Sequence, residues 1–250
     1  MNRPKALDLF ACEGGATVGY QRAGYDVYAV DMDHSRLKRN PAEHKLVGDA
    51  LKVLDDLYVM GRVFFDDGSS LELTDIDLIH MSPPCQAFTR GNAGRETSWP
   101  KLIEPCREKA AMLDLPYVIE NVKDAGPEMV DPVGLCGCMF GLSTIDTDGV
   151  RIHLQRLRLF ETNWNLQPPR PCDHSTHEWV AGAYGGARRD KYEAKYVRKG
   201  GYVPREKAVV KRLLGIEHDV TWNGAFECIP PAYAEWVGLN ARVQLIKEAA

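Results

Sequence analysis

The first half of the chain alternates short apolar runs with amphipathic stretches, and this alternation restricts the possible folds more than any other feature of the sequence. The apolar runs have the length and composition of buried strands and lie at 5–10, 26–33, 78–82 and 115–122. Helical patterns separate them, at 14–24 and 101–113. A repeated strand–helix–strand order predicts a doubly wound, mainly parallel α/β sheet, with ligand-binding residues directly after the strands.

The second half has a different character. Residues 165–204 are rich in Gly and Pro and show little helical periodicity, which predicts a small irregular or β-rich lobe. Helical patterns return at 204–216 and at 230–250. We therefore divide the chain into a main domain, 1–162 plus 223–250, and a small recognition lobe, 163–222.

Composition sets the broad class. With 250 residues, 44% of them hydrophobic, the chain can bury a sizeable core, and its formal net charge of -4 excludes a uniformly basic protein. We expect neither an export signal nor a membrane span, because no apolar run reaches the ~18 residues that a span requires. The seven cysteines are an odd number, which favours reduced thiols and a cytoplasmic location.

A strand followed by a Gly-containing turn and a helix forms the first candidate site, DLFACEGG at 8–15. Such a turn lets backbone N–H groups approach a ligand closely, although it is also an ordinary strand-to-helix connection. Asp31, at the end of the next strand, has the position of a ribose-binding carboxylate. Asp49 follows a third short run, where it could accept a hydrogen bond from an adenine amino group.

The sequence SPPCQAFTRGN at 82–92 places Cys85 at the tip of a loop that two prolines stiffen. Turn and polar residues surround this cysteine, as a nucleophile requires, whereas a structural cysteine usually lies within an apolar run. Both interpretations stay open on the residues alone.

Charged residues at two other strands complete the candidate site. Glu120 lies near the end of the run 115–122, where partial burial would raise its pKa and let it donate a proton, unless it only caps a helix. Arg156 and Arg158 lie two residues apart and would share one side of a strand, facing either a ligand or solvent.

These motifs, in the order DLFACEGG, VDMD, VGDA, PPCQ, ENV, RLR and IPPAYAEWVG, resemble the motif series of the cytosine-5 DNA methyltransferase family. The resemblance covers nearly the whole chain except about 165–222. It implies the S-adenosylmethionine-dependent methyltransferase fold and transfer of a methyl group from S-adenosyl-L-methionine to carbon 5 of a flipped-out cytosine. It leaves open whether a partner nuclease, as in restriction–modification, or a solitary phage enzyme is involved.

The resemblance also implies residue roles. Cys85 would attack carbon 6 of cytosine, Glu120 would protonate N3, and Arg158, supported by Arg156, would hold the carbonyl oxygen. The cofactor would lie along Phe10, Glu13, Gly14, Gly15, Asp31, Met32, Asp49 and Pro84.

The chain departs from the family pattern at two places. Cys12 replaces the first glycine of the family's opening motif, which makes the local backbone less permissive. Phe226 and Glu227 stand where the last motif usually carries Gly-Asn. A carboxylate at 227 would lie near the amino-acid end of the cofactor, where it could pair with the ammonium or with a basic neighbour.

Residues 182–212 contain ten basic and three acidic residues, interleaved with tyrosines, within a chain of negative net charge. This pattern favours contacts with nucleic-acid phosphates, although Lys207–Arg212 also fits a solvated helix face. We expect Arg90, Arg188, Arg189 and Lys191 to contact double-stranded DNA, and we expect a monomer.

Three alternatives differ from this interpretation. Cys136, Cys138, Cys172 and His174 could bind zinc, but C-x-C followed by C-x-H is not a usual zinc spacing, so we predict no metal and expect Cys136 and Cys138 to pack. An RNA cytosine-5 methyltransferase would share the cofactor site and PPCQ. A DNA-binding protein without turnover would keep the fold, but the presence of Cys85, Glu120 and Arg158 together argues against it.

Overall fold

A computed structural model describes residues 3–88, 99–181, 202, 204 and 206–248, with side chains as far as 243. Its main feature is a seven-stranded sheet in the order β3–β2–β1–β6–β7–β11–β8. The strands of this sheet are β1 (Lys5–Leu9), β2 (Asp26–Asp31), β3 (His44–Val47), β6 (Ile76–Met81), β7 (Tyr117–Val122), β8 (Val133–Leu135) and β11 (Arg158–Thr162). The four pairs from β3 to β7 are parallel, and β11 runs antiparallel to both β7 and β8. The predicted mainly parallel α/β sheet is thus confirmed.

Helices cover both faces of the sheet. Along β1, Ala6 faces one side, while Leu7 and Leu9 face the other, as the two-residue period of a strand requires. The side that Leu7 faces is covered by α3 (Ala50–Met60) and α4 (Ile103–Ala111), and the side that Ala6 faces is covered by α1 (Gly15–Arg22) and α7 (Pro231–Glu248). The helices are α1 (Gly15–Arg22), α2 (His34–Leu37), α3 (Ala50–Met60), α4 (Ile103–Ala111), α5 (Lys207–Leu214), α6 (Trp222–Glu227) and α7 (Pro231–Glu248).

The closing helix α7 packs directly on α1, and two glycines make this contact possible. A Cβ added at Gly15 would lie 2.4 Å from the carbonyl oxygen of Ile229, and one at Gly19 would lie 2.3 Å from that of Pro231. Any side chain at these positions would therefore push the last motif away from the first. This contact brings the last motif, at the start of α7, to the carboxyl edge of β1.

Two short hairpins lie outside the main sheet and were not predicted. They are formed by β4 (Arg62–Phe64) with β5 (Ser70–Glu72), and by β9 (Ser143–Ile145) with β10 (Arg151–His153). Short 3₁₀ turns lie at Leu73–Asp75, Lys123–Glu128 and Gly137–Phe140. In the described part of the chain, none of the helices is both long and apolar enough to cross a membrane.

A separate apolar cluster joins the β9–β10 hairpin to α5 and α6. It contains Ile152 of β10, Leu154 directly after that strand, Val209 and Leu213 of α5, and Phe226 of α6. The boundaries of this cluster differ from the expected lobe limits of 163 and 222. The cluster begins earlier because the hairpin packs on α5, whereas Leu166 is buried in the core under α7.

Candidate active site

Loops at the carboxyl ends of β1, β2, β6 and β7 surround a cavity of about 760 Å³. Because parallel strands end at one edge of the sheet, side chains from distant parts of the sequence meet there. The cavity wall contains most of the predicted site residues: Phe10, Gly15, Asp31, Met32, Pro84, Cys85, Glu120, Arg156 and Arg158.

The loop after β6 presents Cys85 to this cavity. Asn121, from the end of β7, donates a hydrogen bond from Nδ2 to the carbonyl oxygen of Pro83 at 3.0 Å and so fixes the loop to the sheet. The backbone N–H of Phe88 donates to the carbonyl oxygen of Cys85 at 2.9 Å, which closes a turn behind the cysteine. The thiol is half-buried and lies at the cavity surface.

Burial raises the pKa of the Cys85 thiol above its ordinary value, and the nearby carboxylate of Glu120 raises it further. The positive charge of Arg158 acts in the opposite direction. Cys85 therefore rests as a thiol, and any charge that stabilises its thiolate must come from the arginine side of the cavity.

Glu120 lies near the end of β7 and is almost completely buried. Burial raises the pKa of its carboxyl group, against the lowering effects of Arg158 and of a hydrogen bond from Ser82. Oε1 of Glu120 lies 3.3 Å from Nε of Arg158. A buried carboxyl group with a raised pKa has the properties of a proton donor at the cavity wall.

Behind Glu120, three polar side chains cross the interior of the sheet. The Tyr20 hydroxyl lies 2.8 Å from Nδ1 of His80, and Nε2 of His80 lies 2.8 Å from Oγ of Ser82. Burial lowers the pKa of His80 to about 3, so this imidazole is neutral. The chain of hydrogen bonds ends at Glu120, which Ser82 contacts.

The two arginines have different environments. Arg156 is buried, and its guanidinium donates to the backbone carbonyl oxygens of Phe226 and Glu227. Burial and the charge of Arg158 lower the pKa of Arg156 to about 9. Arg156 precedes β11, and its hydrogen bonds hold the last motif in place. Arg158 is the first residue of β11 and pairs with Glu120.

The turn after β1 forms the other half of the cavity. Asp31 accepts a hydrogen bond from the backbone N–H of Cys12 at 2.8 Å and another from that of Asp33 at 2.8 Å. Phe10 and Cys12 both have a positive φ, 60° and 50°. The strain expected from replacing a family glycine by Cys12 is thus present in the backbone.

Three predicted cofactor residues do not line the cavity, although the structure describes all of them. Both oxygens of the Glu13 carboxylate accept hydrogen bonds from Thr221, one from the backbone N–H and one from the hydroxyl, each at 2.6 Å. Gly14 caps the N-terminus of α1 with φ 94°. The Asp49 carboxylate caps α3 by accepting from the backbone N–H of Leu51. Glu13 thus fixes α6 to the turn, and Asp49 fixes its own helix.

Two residues that line the cavity, Arg36 and Asp8, are not among the predicted site residues. Arg36, in α2, forms an ion pair with Glu227, so this glutamate pairs with a basic neighbour, and the same guanidinium also pairs with Asp33. Asp8, near the end of β1, is fully buried, and its Oδ1 has no hydrogen-bond partner among the described residues. Burial raises the pKa of Asp8 to about 7. Nothing in the spacing of Arg36 indicates its role, whereas Asp8 belongs to the first motif.

The predicted phosphate-binding residues Arg90, Arg188, Arg189 and Lys191 lie outside the described residues. Three neighbouring basic side chains are described, and they bond to nearby backbone. Lys207 donates to the carbonyl oxygen of Val220 at 2.7 Å, Lys211 to that of Glu217 at 3.1 Å, and Arg212 to that of Ile145 at 3.4 Å. These three therefore stabilise the cluster around α5.

Away from the cavity, the structure brings together four side chains whose spacing argued against a metal. Cys136 is buried in the core, as expected, but its Sγ lies 3.2 Å from Nε2 of His174. Cys138 and Cys172 lie beside them.

None of the models of known protein families matches the chain. Over 128 residues the chain is 30% identical to the Type II methyltransferase M.XorII of Xanthomonas oryzae pv. oryzae, a match that covers 49% of this chain and 29% of that relative. The chain thus spans less than a third of the curated relative it matches.

Two solved structures extend the likeness to nearly the full chain. A protein described provisionally as a DNA modification methyltransferase encoded within an E. coli prophage superimposes with a TM-score of 0.58 at 14% identity, covering 97% of this chain and 99% of that one. The Dnmt2 methyltransferase of S. pombe superimposes with a TM-score of 0.55 at 13% identity, with the same coverage. These similarities confirm the methyltransferase fold and agree with the resemblance that the motifs carry.

Proposed function

We propose that this chain is a DNA cytosine-5 methyltransferase that uses S-adenosyl-L-methionine and a covalent bond through Cys85. One observation carries the proposal: Cys85, Glu120 and Arg158 come from three separate strands or strand ends and meet in one cavity. Glu120 has the raised pKa of a proton donor, and Arg158 pairs with it at 3.3 Å. The similarity to a Type II methyltransferase supports the same assignment.

The cavity suits S-adenosylmethionine in size and chemistry. A volume of about 760 Å³ is within the usual range for small-molecule sites, roughly 300–1,000 Å³. Phe10, Met32 and Pro84 offer apolar surface for the adenine, and Asp31 has acceptor oxygens for ribose hydroxyls. When bound, the cofactor supplies an electrophilic methyl group on a positively charged sulfur.

The chain's own residues activate the cytosine. Cys85 loses its thiol proton to solvent, and the thiolate then forms a bond to carbon 6. Glu120 delivers its proton to N3 in the same step, so the electron pair displaced from the carbon 5–carbon 6 double bond does not leave a negative charge on the ring. Carbon 5 becomes nucleophilic and can accept a methyl group. Arg158 faces the carbonyl oxygen of the base and stabilises the thiolate before attack. Loss of the carbon 5 proton to solvent then breaks the bond to sulfur and releases Cys85, while the proton on N3 returns to Glu120.

The positioning residues keep these groups in register. Asn121 holds the carbonyl oxygen of Pro83 and with it the Cys85 loop, while Arg156 holds the backbone of the last motif. Because a cytosine within a duplex cannot reach the cavity, the target base has to be flipped out of the stack. We assign phosphate contacts to Arg90, Arg188, Arg189 and Lys191, which belong to the basic part of the sequence.

A methyl-transfer assay tests this function. Wild-type protein with tritiated S-adenosylmethionine should label duplex DNA in preference to RNA, and Cys85→Ala should abolish labelling. Cys106→Ala removes a buried thiol outside the cavity wall and should retain it. A duplex carrying 5-fluorocytosine, which blocks proton loss, should form a covalent complex with the wild type alone. Label in RNA alone would support the RNA alternative, and wild-type turnover by Cys85→Ala would overturn the mechanism.

A further inference from the structure

Three cysteines and one histidine form a compact group on the side of the main sheet that carries β8. Cys136 and Cys138 flank the start of the 3₁₀ turn Gly137–Phe140, directly after β8. Cys172 and His174 lie on the segment that follows β11. The four ligand atoms all lie within 4.8 Å of one another, although 34 residues separate Cys138 from Cys172.

The individual distances fit a shared metal ion better than a disulfide. The Sγ atoms of Cys138 and Cys172 are 3.3 Å apart, far longer than the ~2.05 Å of a disulfide bond. Nε2 of His174 lies 3.2 Å from Sγ of Cys136 and 3.2 Å from Sγ of Cys172. Tetrahedral zinc with ordinary bond lengths separates neighbouring sulfur and nitrogen ligands by roughly 3.5–3.8 Å. An ion at the centre would therefore lengthen these three separations by only a few tenths of an ångström.

We propose that Cys136, Cys138, Cys172 and His174 bind one structural Zn²⁺ ion. Three thiolates and one imidazole are a known structural zinc set, and soft sulfur ligands favour zinc over magnesium or calcium. Four protein ligands complete the tetrahedron and leave no position for substrate, so this ion does not take part in methyl transfer.

Binding requires the three thiols to lose their protons to solvent as the sulfur–zinc bonds form. Cys136 donates its thiol proton to the carbonyl oxygen of Gln155 at 2.7 Å, and this contact lengthens when the proton leaves. His174 binds through Nε2, the nitrogen that faces the sulfurs, and keeps its proton on Nδ1.

The position of the ion explains what it would stabilise. Gln155, which Cys136 contacts, directly precedes Arg156. On the other side, His177 stacks on His153 of β10 with ring centroids 4.2 Å apart, and Ala181 donates its N–H to the carbonyl oxygen of His153. Zinc thus fastens the segment 172–181, which leads into the basic part of the sequence, to the strand region that carries the site arginines.

Metal analysis of the full chain tests the proposal. Protein purified without chelators should contain one zinc per chain by mass spectrometry of the elements. Cys172→Ser and His174→Ala should each lower this content to a small fraction. The matched control is Asp173→Asn, because Asp173 lies between the two ligands and is exposed, and its carboxylate accepts from the N–H of Ser175. This control should keep full zinc content.

Cobalt substitution tests the ligand set in the unaltered protein, so the outcome does not depend on a variant that folds. Wild-type protein depleted of zinc and titrated with Co²⁺ should develop the intense visible bands of tetrahedral cobalt and a thiolate charge-transfer band in the near ultraviolet. Absence of both zinc and these bands would overturn the proposal. A Cys138–Cys172 disulfide in the native protein, detected by peptide mass spectrometry, would overturn it as well. These readouts are independent of methyl transfer and so of the proposed function.

Discussion

The cavity at the sheet edge and the cysteine–histidine cluster hold reactive side chains in opposite ways. Around the cavity, groups are kept under conditions that cost stability: Asp8 is buried with an unpartnered oxygen, and Cys12 has a positive φ. In the cluster, four ligand atoms lie close together and would gain stability from a bound ion. The difference teaches that backbone strain and buried charged groups are typical of an active site, whereas ligand atoms that lie close to one another are typical of a structural metal site.

The largest effect is expected for Glu120→Gln, which should impair the cavity and leave the cysteine–histidine cluster unchanged. Glu120→Gln keeps the shape of the side chain but removes the proton that N3 requires, so we expect methyl transfer to fall by about 10²–10⁴-fold. Zinc content should not change. The measurements are single-turnover transfer to duplex DNA and metal analysis of the same preparation.

Glu161→Gln is the matched control, because Glu161 is also buried but lies on β11 and pairs with Arg107 outside the cavity. This variant should lose stability and retain its transfer rate per folded molecule. Equal transfer rates for Glu120→Gln and wild type would remove Glu120 from the proposed chemistry.

The second prediction measures the cost of desolvation at Asp8. Its folded-state pKa of about 7 lies above the ordinary value of 3.8, so the folded protein binds this proton more tightly than the unfolded chain. Stability from this group is fully present below pH about 4 and is lost as the pH rises through about 7. Through Asp8, the free energy of unfolding of the wild type should fall by on the order of 4 kcal/mol across that range. The Asp8→Asn variant should not show this fall. Urea unfolding of the cofactor-free protein at several pH values measures it.

Asp33→Asn supplies a control of opposite sign, because hydrogen bonds from Ser35 lower the pKa of the exposed Asp33. The contribution of Asp33 to the free energy of unfolding is present above its ordinary pKa and is lost as the pH falls. Asp33→Asn should therefore lower stability at neutral pH and leave it unchanged at acidic pH, which is the opposite of the effect expected for Asp8→Asn. Parallel stability profiles for Asp8→Asn and wild type would show that Asp8 carries no such cost.

The smallest effect concerns the backbone at Cys12. Glycine tolerates the positive φ of this position, so Cys12→Gly should raise the free energy of unfolding by up to about 1 kcal/mol. Asp131→Gly is matched to it, since Asp131 has a φ of 42° and lies exposed, away from the cavity. Thermal unfolding compares the two. If Cys12→Gly destabilises while Asp131→Gly stabilises, the contact of the Cys12 thiol with Arg36 outweighs the strain.

The sheet and the grouping of the candidate site residues at its edge could be predicted because each feature is local in the sequence. The runs around β1, β2, β6 and β7 are continuous and apolar, and Cys85 and Glu120 lie at strand ends, where parallel strands bring their residues together. The hairpins were missed despite a usable signal. Asp67-Gly68 and Asp148-Gly149 are hairpin turn sequences, and both glycines have positive φ, 83° and 82°.

Long-range partners could not be predicted in this way. Glu13 bonds to Thr221, 208 residues later, and the sequence gives no indication that this carboxylate turns from the cofactor turn toward α6. Arg36 meets Glu227 only because α7 closes over α1. The four possible zinc ligands follow no familiar spacing, since β8 and the segment after β11 become neighbours only through the antiparallel end of the sheet.

The neutral His80 gives the buried hydrogen-bond chain a direction. A neutral imidazole carries one N–H, and a carboxylate at Glu120 can only accept from Ser82. The Ser82 hydroxyl then receives its own hydrogen bond from Nε2–H of His80, and the Tyr20 hydroxyl donates to Nδ1. This single tautomer makes the chain a one-way arrangement of dipoles that point their positive ends toward Glu120. In the proposed mechanism it would stabilise the negative charge left when Glu120 gives up its proton, and reprotonation would come from the open side of the cavity.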